Sequence, residues 1–161
     1  MAYLNDSSNF MNSPRATAAK AIYLLAIDDS IDEETLAKFK QYCEAFYHGF
    51  VVKVAQPGTK IEDKTVAESF VEAHAIATRR QSGLHFQLNA EDINDVLAAE
   101  YKAEDAFYLL AITNQDLYLH AQPNDSESSY VFGLANTEEG CGIFSFYRHQ
   151  GLLGQSCEPG G

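Results

Sequence analysis

Five histidines and three cysteines are the residues best equipped for metal or nucleophilic chemistry in this 161-residue chain: His48, His74, His85, His120 and His149, with Cys43, Cys141 and Cys157. A neutral imidazole ligates metal well, and two of them at i and i+4 on one helix converge on a single ion. Here the histidines are separated by 26, 11, 35 and 29 positions, so no pair shares a helical face in that way. His48 falls at the end of an amphipathic run, where a helix macrodipole favours positive charge and a capping role is expected. His74 is expected on a helix face and His85 on the exposed face of a strand, each solvated or hydrogen-bonded. His120 and His149 with Cys141 form the one combination that would gather three donors. Loop ligands beside a chain end make a poorly preorganised site, so no metal is expected there. Cys43 lies among apolar positions and reads as a small core residue, and the three cysteines form no CxxC pair.

The acidic groups Asp28-Asp29, Asp32-Glu33-Glu34 and Glu91-Asp92 each end a strand or open a helix, where carboxylates complement backbone donors without any bound cation. Ser145 and Ser156 lack a Gly-x-Ser-x-Gly elbow, and no glycine-rich phosphate loop follows an apolar strand. Arg79-Arg80 reads as a solvated turn. The formal net charge of -12 argues against nucleic acid and against anionic membranes as partners. The start, Met1-Ala2-Tyr3-Leu4-Asn5-Asp6, has neither a basic nor an apolar leader segment, and no apolar run reaches the length of a membrane span. The expectation is a soluble, cytoplasmic protein.

The elements that must carry these residues read as α/β. Residues 1–20 are polar and aperiodic and are expected to be flexible. Ala21 to Ile27 is a continuous apolar run, the signature of a strand covered on both faces. Ser30 and Glu33 form a capping-box pattern that opens a helix with the stripe Leu36, Phe39, Cys43, Phe46 and Tyr47, ended by Gly49. Phe50 to Val54 is the next strand. A helix is expected from Thr65 to Ala77, with a strand over Phe70 to Ile76 as the alternative, then a strand from Leu84 to Leu88 with Leu84, Phe86 and Leu88 on one face. Asn89 caps a further helix through Ile93, Val96, Leu97 and Tyr101, and Asp105 to Ile112 repeats the buried-strand pattern. After the polar loop 123–129, Tyr130 to Ala135 and Gly142 to Tyr147 form an antiparallel hairpin. The expected architecture is a twisted, mostly parallel mixed sheet packed with helices, with an antiparallel hairpin at one edge.

Three segments resemble the archaemetzincins, zinc metallopeptidases of the metzincin clan. They are Tyr42 to Val54, then Glu104 to Phe107 with Ala111 to Tyr118, then Tyr130 to Ala135 with Gly140 to Arg148. The resemblance implies a metzincin-like N-terminal subdomain over 21–149, followed by a glycine-rich, unstructured tail at 150–161. It also implies, in the family, a helix after the last strand that carries HExxHxxGxxH, with three imidazoles on a catalytic zinc and the glutamate as general base.

None of the five histidines is followed by glutamate, so that motif is absent and no catalytic or metal-binding residue is carried over. Zinc is expected in the family and none for this chain. The chain is expected to be shortened and inactive alone as a peptidase. The alternatives are a non-catalytic peptide- or protein-binding module and a peptidase completed by another chain. By the same resemblance Tyr130, Val131, Phe132, Gly133, Leu134 and Ala135 are the candidate edge for an extended peptide. Without the missing helix, Phe132, Ile143, Phe144 and Phe146 are expected to be partly exposed, which implies marginal stability and self-association.

Overall fold

Every residue of Ala21–Ala26 is buried, as its unbroken apolar run requires, and this strand, β1, has a neighbour on either side in the main sheet. A computed structural model describes residues 20–80, 85–120 and 129–149. The lead-in 1–19, Leu84, most of the 123–129 loop, Ser156, Cys157 and the 150–161 tail lie outside the described residues.

Strand β1 pairs in parallel with β2 (Val51–Ala55) on one side and β7 (Ala106–Thr113) on the other. Next to β7, also parallel, runs β10 (Cys141–Ser145), and antiparallel to β10 runs β9 (Gly133–Asn136) at the edge. The order β2-β1-β7-β10-β9 is the mostly parallel sheet with a mixed edge that the sequence predicts. Three further strands form a second sheet: β5 (Thr78–Arg80), β6 (Phe86–Asn89) and β8 (Asp116–Tyr118). A two-stranded ribbon of β3 (Lys60–Ile61) and β4 (Lys64–Thr65) completes the β structure among the described residues.

The alternation of a strand divides the core in two. Ile22 and Leu24 of β1 pack on Cys43 of helix α1 (Glu33–Phe46), with Ala26 and Ile112 against Leu36 of the same helix. Tyr23 and Leu25 point the other way, into a larger cluster with Phe70, Ile93, Leu97, Tyr101 and Leu117. Helix α3 (Ala90–Val96), extended by a π-helical turn over Leu97–Tyr101, supplies much of that second layer.

Strands β7 and β8 are separated only by Asn114 and Gln115, so one run of chain serves both sheets. The link is held from both flanks. Asn114 N donates to Ser30 Oγ at 2.9 Å, and Ser145 Oγ donates to the Gln115 carbonyl at 2.5 Å.

Several local expectations are corrected. The cap of α1 is Asp32, whose carboxylate accepts from Thr35 N at 2.6 Å, because the Ser30 hydroxyl is engaged by Asp28 and Asn114. Leu36 and Cys43 of its stripe are buried, whereas Phe46 and Tyr47 are exposed. The helix expected over 65–77 shrinks to α2, Phe70–Ala73, since β4 takes its start and Ala75 turns the chain with φ 51°. Arg79-Arg80 is strand β5 rather than a turn. In β6 it is Phe86 that is exposed and Gln87 that is buried, reversing the expected polarity of those two positions. Phe132, at 45% exposed, and the half-buried Phe144 and Phe146, which pack on one another, are partly exposed as expected, whereas Ile143 is only 2% exposed because it lies in the sheet between β7 and β9.

Gly49, at φ 97°, ends the α1 region as predicted, in a conformation that side chains disfavour. Gly142 is required for a different reason. A Cβ there would meet the Tyr108 hydroxyl at 2.6 Å and the Leu134 carbonyl oxygen at 3.0 Å.

Candidate functional site

The histidines are dispersed. His48 follows α1, as expected. His74 ends α2 with Nε2 2.7 Å from the Tyr101 hydroxyl. His85 Nε2 lies 3.2 Å from Asp116 Oδ2, so it is hydrogen-bonded rather than simply solvated. His120 stands beside Asp92, with Nε2 3.7 Å from Oδ1, and His149 is stacked on Phe144. Cys141 is buried under Asn94, its thiol pointing at the Asn94 carbonyl, and burial pushes both Cys43 and Cys141 above the ordinary thiol pKa. Both are therefore poor nucleophiles and poor ligands. The structure does not bring His120, His149 and Cys141 together, and among the described residues no group of three or more His, Cys, Asp or Glu is arranged to hold a metal ion. These residues do not fit a catalytic zinc.

The predicted peptide edge is placed at the margin of the five-stranded sheet, with shifted bounds. Gly133, Leu134 and Ala135 lie in β9 together with Asn136. Tyr130, Val131 and Phe132 precede the strand, and Val131 forms a separate antiparallel bridge to Leu117. Ser145 N donates to the Phe132 carbonyl at 2.8 Å, which sets the phase of the antiparallel ladder. In such a ladder alternate residues face the partner, so Leu134 and Asn136 turn to β10 while Gly133 and Ala135 direct their N–H and C=O away from it. The outer edge thus offers two donors and two acceptors. Beside it Asn94 Nδ2 donates to the Leu134 carbonyl at 3.0 Å, tying α3 to the strand.

A buried ionic network, unforeseen from the sequence, holds the chain on either side of this edge. Asp116 is 0% exposed and accepts from Arg148 Nε at 3.0 Å, Arg148 Nη2 at 2.6 Å and Gln87 Nε2 at 2.8 Å, with His85 as a further neighbour. Burial by itself would raise the Asp116 carboxyl. The Arg148 guanidinium and the Gln87 amide outweigh it, so its pKa lies below the ordinary carboxylate value. Gln87 passes the network on: its Oε1 accepts from Arg79 Nε at 2.6 Å, and Arg79 Nη2 reaches the Ser129 carbonyl at 2.7 Å. Arg79 also covers the Tyr118 ring and Arg148 the Tyr130 ring. The segment 129–130 that leads into β9 and the residues that leave β10 are thereby clamped to the second sheet. The sequence held one signal for this, a charged Asp116 directly followed by the apolar Leu117 and Tyr118.

No family model matches the sequence. Archaemetzincin-2 of Mus musculus is 38% identical over 120 residues, covering 74% of this chain and 29% of the relative. Archaemetzincin-2 of Homo sapiens is 32% identical over 154 residues, covering 89% of this chain and 38% of the relative. The chain therefore spans less than half the length of these curated relatives. Among solved structures, the archaemetzincin from Methanopyrus kandleri superposes with a TM-score of 0.52 at 18% identity, over 82% of this chain and 61% of that one, which speaks for a common fold. Sequence identity over most of its residues and the shared sheet lead to one conclusion: the chain belongs to the archaemetzincin family.

Proposed function

We propose that these residues form the substrate-presenting sheet of an archaemetzincin-type zinc metallopeptidase, that an extended peptide pairs with the outer edge of β9, and that the 161 residues do not hydrolyse it alone. The observation that carries the reading is the phase of the β9–β10 ladder, which leaves the N–H and C=O of Gly133 and Ala135 directed outward. A strand with free outward groups adds a further strand readily, and the backbone pairing supplies affinity without demanding a particular side chain. The clamp around Asp116 keeps the residues before β9 and after β10 in place, so the edge is presented in a fixed position. Hydrolysis in this family would draw on a zinc held by HExxHxxGxxH; that motif does not occur in the sequence, and no set of ligands converges among the described residues. Peptide capture without cleavage is the alternative role, and it uses the same edge.

Both halves are tested on the purified chain. Supplied with zinc, it is expected to retain less than one equivalent of metal and to cleave no peptide from a mixed fluorogenic library. Stoichiometric zinc with chelator-sensitive cleavage would overturn the inactive assignment. An extended peptide is expected to bind the wild type and to lose binding to Ala135→Pro, since proline removes an outward donor while leaving the ladder to β10 intact. Equal binding by both would refute the edge.

A further inference from the structure

An acidic cleft opens beside the distal part of β9. It is bordered by the strand's Leu134, Ala135 and Asn136, by Glu91, Asp92 and Asp95 of α3, by Glu138 in the β9–β10 turn and by His120. Its volume, about 720 Å³, is ample for one long side chain, and among the described residues no lysine or arginine lines it. Two of the carboxylates have work within the fold: Glu91 Oε2 accepts from His120 N and Asp92 Oδ2 from Ala77 N, each at 2.8 Å. Asp95 and Glu138 accept no hydrogen bond among the described residues, and Asp95 is exposed, as is Glu138.

A second observation comes from Asn94, which lines the same cleft and is 3% exposed. Its amide orientation is fixed, because only the nitrogen can donate to the Leu134 carbonyl. That leaves Oδ1 buried with no hydrogen-bond partner among the described residues. A buried acceptor left without a donor costs free energy unless something supplies one. The surroundings specify the missing group: a donor, bearing positive charge, arriving along the strand edge. A metal ion is disfavoured because the carboxylates do not converge on a point. A lysine or arginine on an extended peptide meets all three conditions, since it carries donors on a long stem and its backbone is the kind that pairs with β9.

We propose that this cleft is a specificity pocket for a basic side chain, so that the peptides taken by the β9 edge are those with lysine or arginine at the position reaching Asn94, Asp95 and Glu138. The inference rests on the edge pairing put forward above. It adds a substrate class to it. The cleft lies toward Asn136 and Cys141, at the opposite end of the hairpin from Phe132 and Ser145, so the basic residue sits away from the side where the chain leaves the sheet.

The test compares a fluorescein-labelled extended hexapeptide containing lysine with its norleucine counterpart on the full 161-residue chain. The lysine peptide is expected to bind about twofold to fivefold more tightly, the range for a partly exposed ion pair, with the gap narrowing as salt is added. Asp95→Asn with Glu138→Gln should abolish that preference. Asp63→Asn with Glu72→Gln makes the same change in net charge outside the cleft and should leave the preference intact. Equal affinity for the two peptides, both lost in Ala135→Pro, would overturn the pocket and leave the edge standing. A preference erased equally by the remote pair would also overturn the pocket, as bulk charge would then explain it. Binding of neither peptide would overturn the edge and the pocket together.

Discussion

Replacing Asp116 by alanine removes the acceptor on which Arg148, Gln87 and His85 converge. Each charge-assisted hydrogen bond is worth about 1.5–3 kcal/mol, and breaking one partner of a buried ion pair costs about 3–5 kcal/mol because a charge is left behind. The terms overlap and do not add. Arg148 and His85 retain some contact with water, their side chains being 28% and 29% exposed, which returns part of the loss. Gln87, at 0% exposure, has no such relief and would keep an unsatisfied amide donor. A cost of about 2–4 kcal/mol follows, a large fraction of the stability of an ordinary domain. Urea unfolding followed by circular dichroism would read it as a lower midpoint at unchanged slope. Replacing both ends of the pair, Asp116→Leu with Arg148→Met, should restore part of the loss, because no orphaned charge remains while the Gln87 amide donor stays unpaired. Acid provides an independent check. The folded Asp116 carboxyl titrates below its ordinary value near 3.9, so its stabilisation is complete above that pH and disappears as the pH falls through the lower folded value. The gap between wild type and Asp116→Ala should therefore close in that window. A cost under about 1 kcal/mol, or a gap constant down to about pH 2, would refute the reasoning.

Gly142→Ala should destabilise by about 1–3 kcal/mol through overpacking, read as a fall in melting temperature, and Tyr108→Phe in the same background should recover part of it by removing the hydroxyl that the new methyl meets. Self-association is expected to be weak and to depend on Phe132, so sedimentation velocity should show a concentration-dependent shift that Phe132→Ser removes; a shift of equal size in the variant would exclude that face.

What the sequence made legible was what depends on runs of one character. Strand β1 is a continuous apolar segment and is buried throughout, β7 repeats the pattern with Phe107 alone exposed, and the Asn89 cap is set by a single short-range hydrogen bond, its Oδ1 accepting from Asp92 N at 2.8 Å. What misled was coincidence of period. Val66 and Phe70 are buried and Val71 packs against the same cluster, yet they reach it from a ribbon end and a single helical turn, so their spacing mimicked a longer helix that is not there. Ser30 illustrates a second limit. It is a good local cap by type, but partners 2 and 84 positions away claim its hydroxyl. The polar network around Asp116 was illegible for the same reason: its members come from β5, β6, β8 and the residues after β10, and only the folded register aligns them. The edge hairpin was approached within a few residues because hairpin signals are local, whereas the phase that turns the backbone of Gly133 and Ala135 outward is set by the register with β10.

The two-residue bridge between β7 and β8 has a dynamic consequence. Short surface connections usually exchange their amide hydrogens quickly, since they open without disturbing the rest of a fold. Asn114 and Gln115 are fastened to the segment after β1 on one flank and to the end of β10 on the other. Fraying there requires both sheets to loosen at once, so this connection belongs to the last cooperative unit to melt and transmits any tug on one sheet directly to the other.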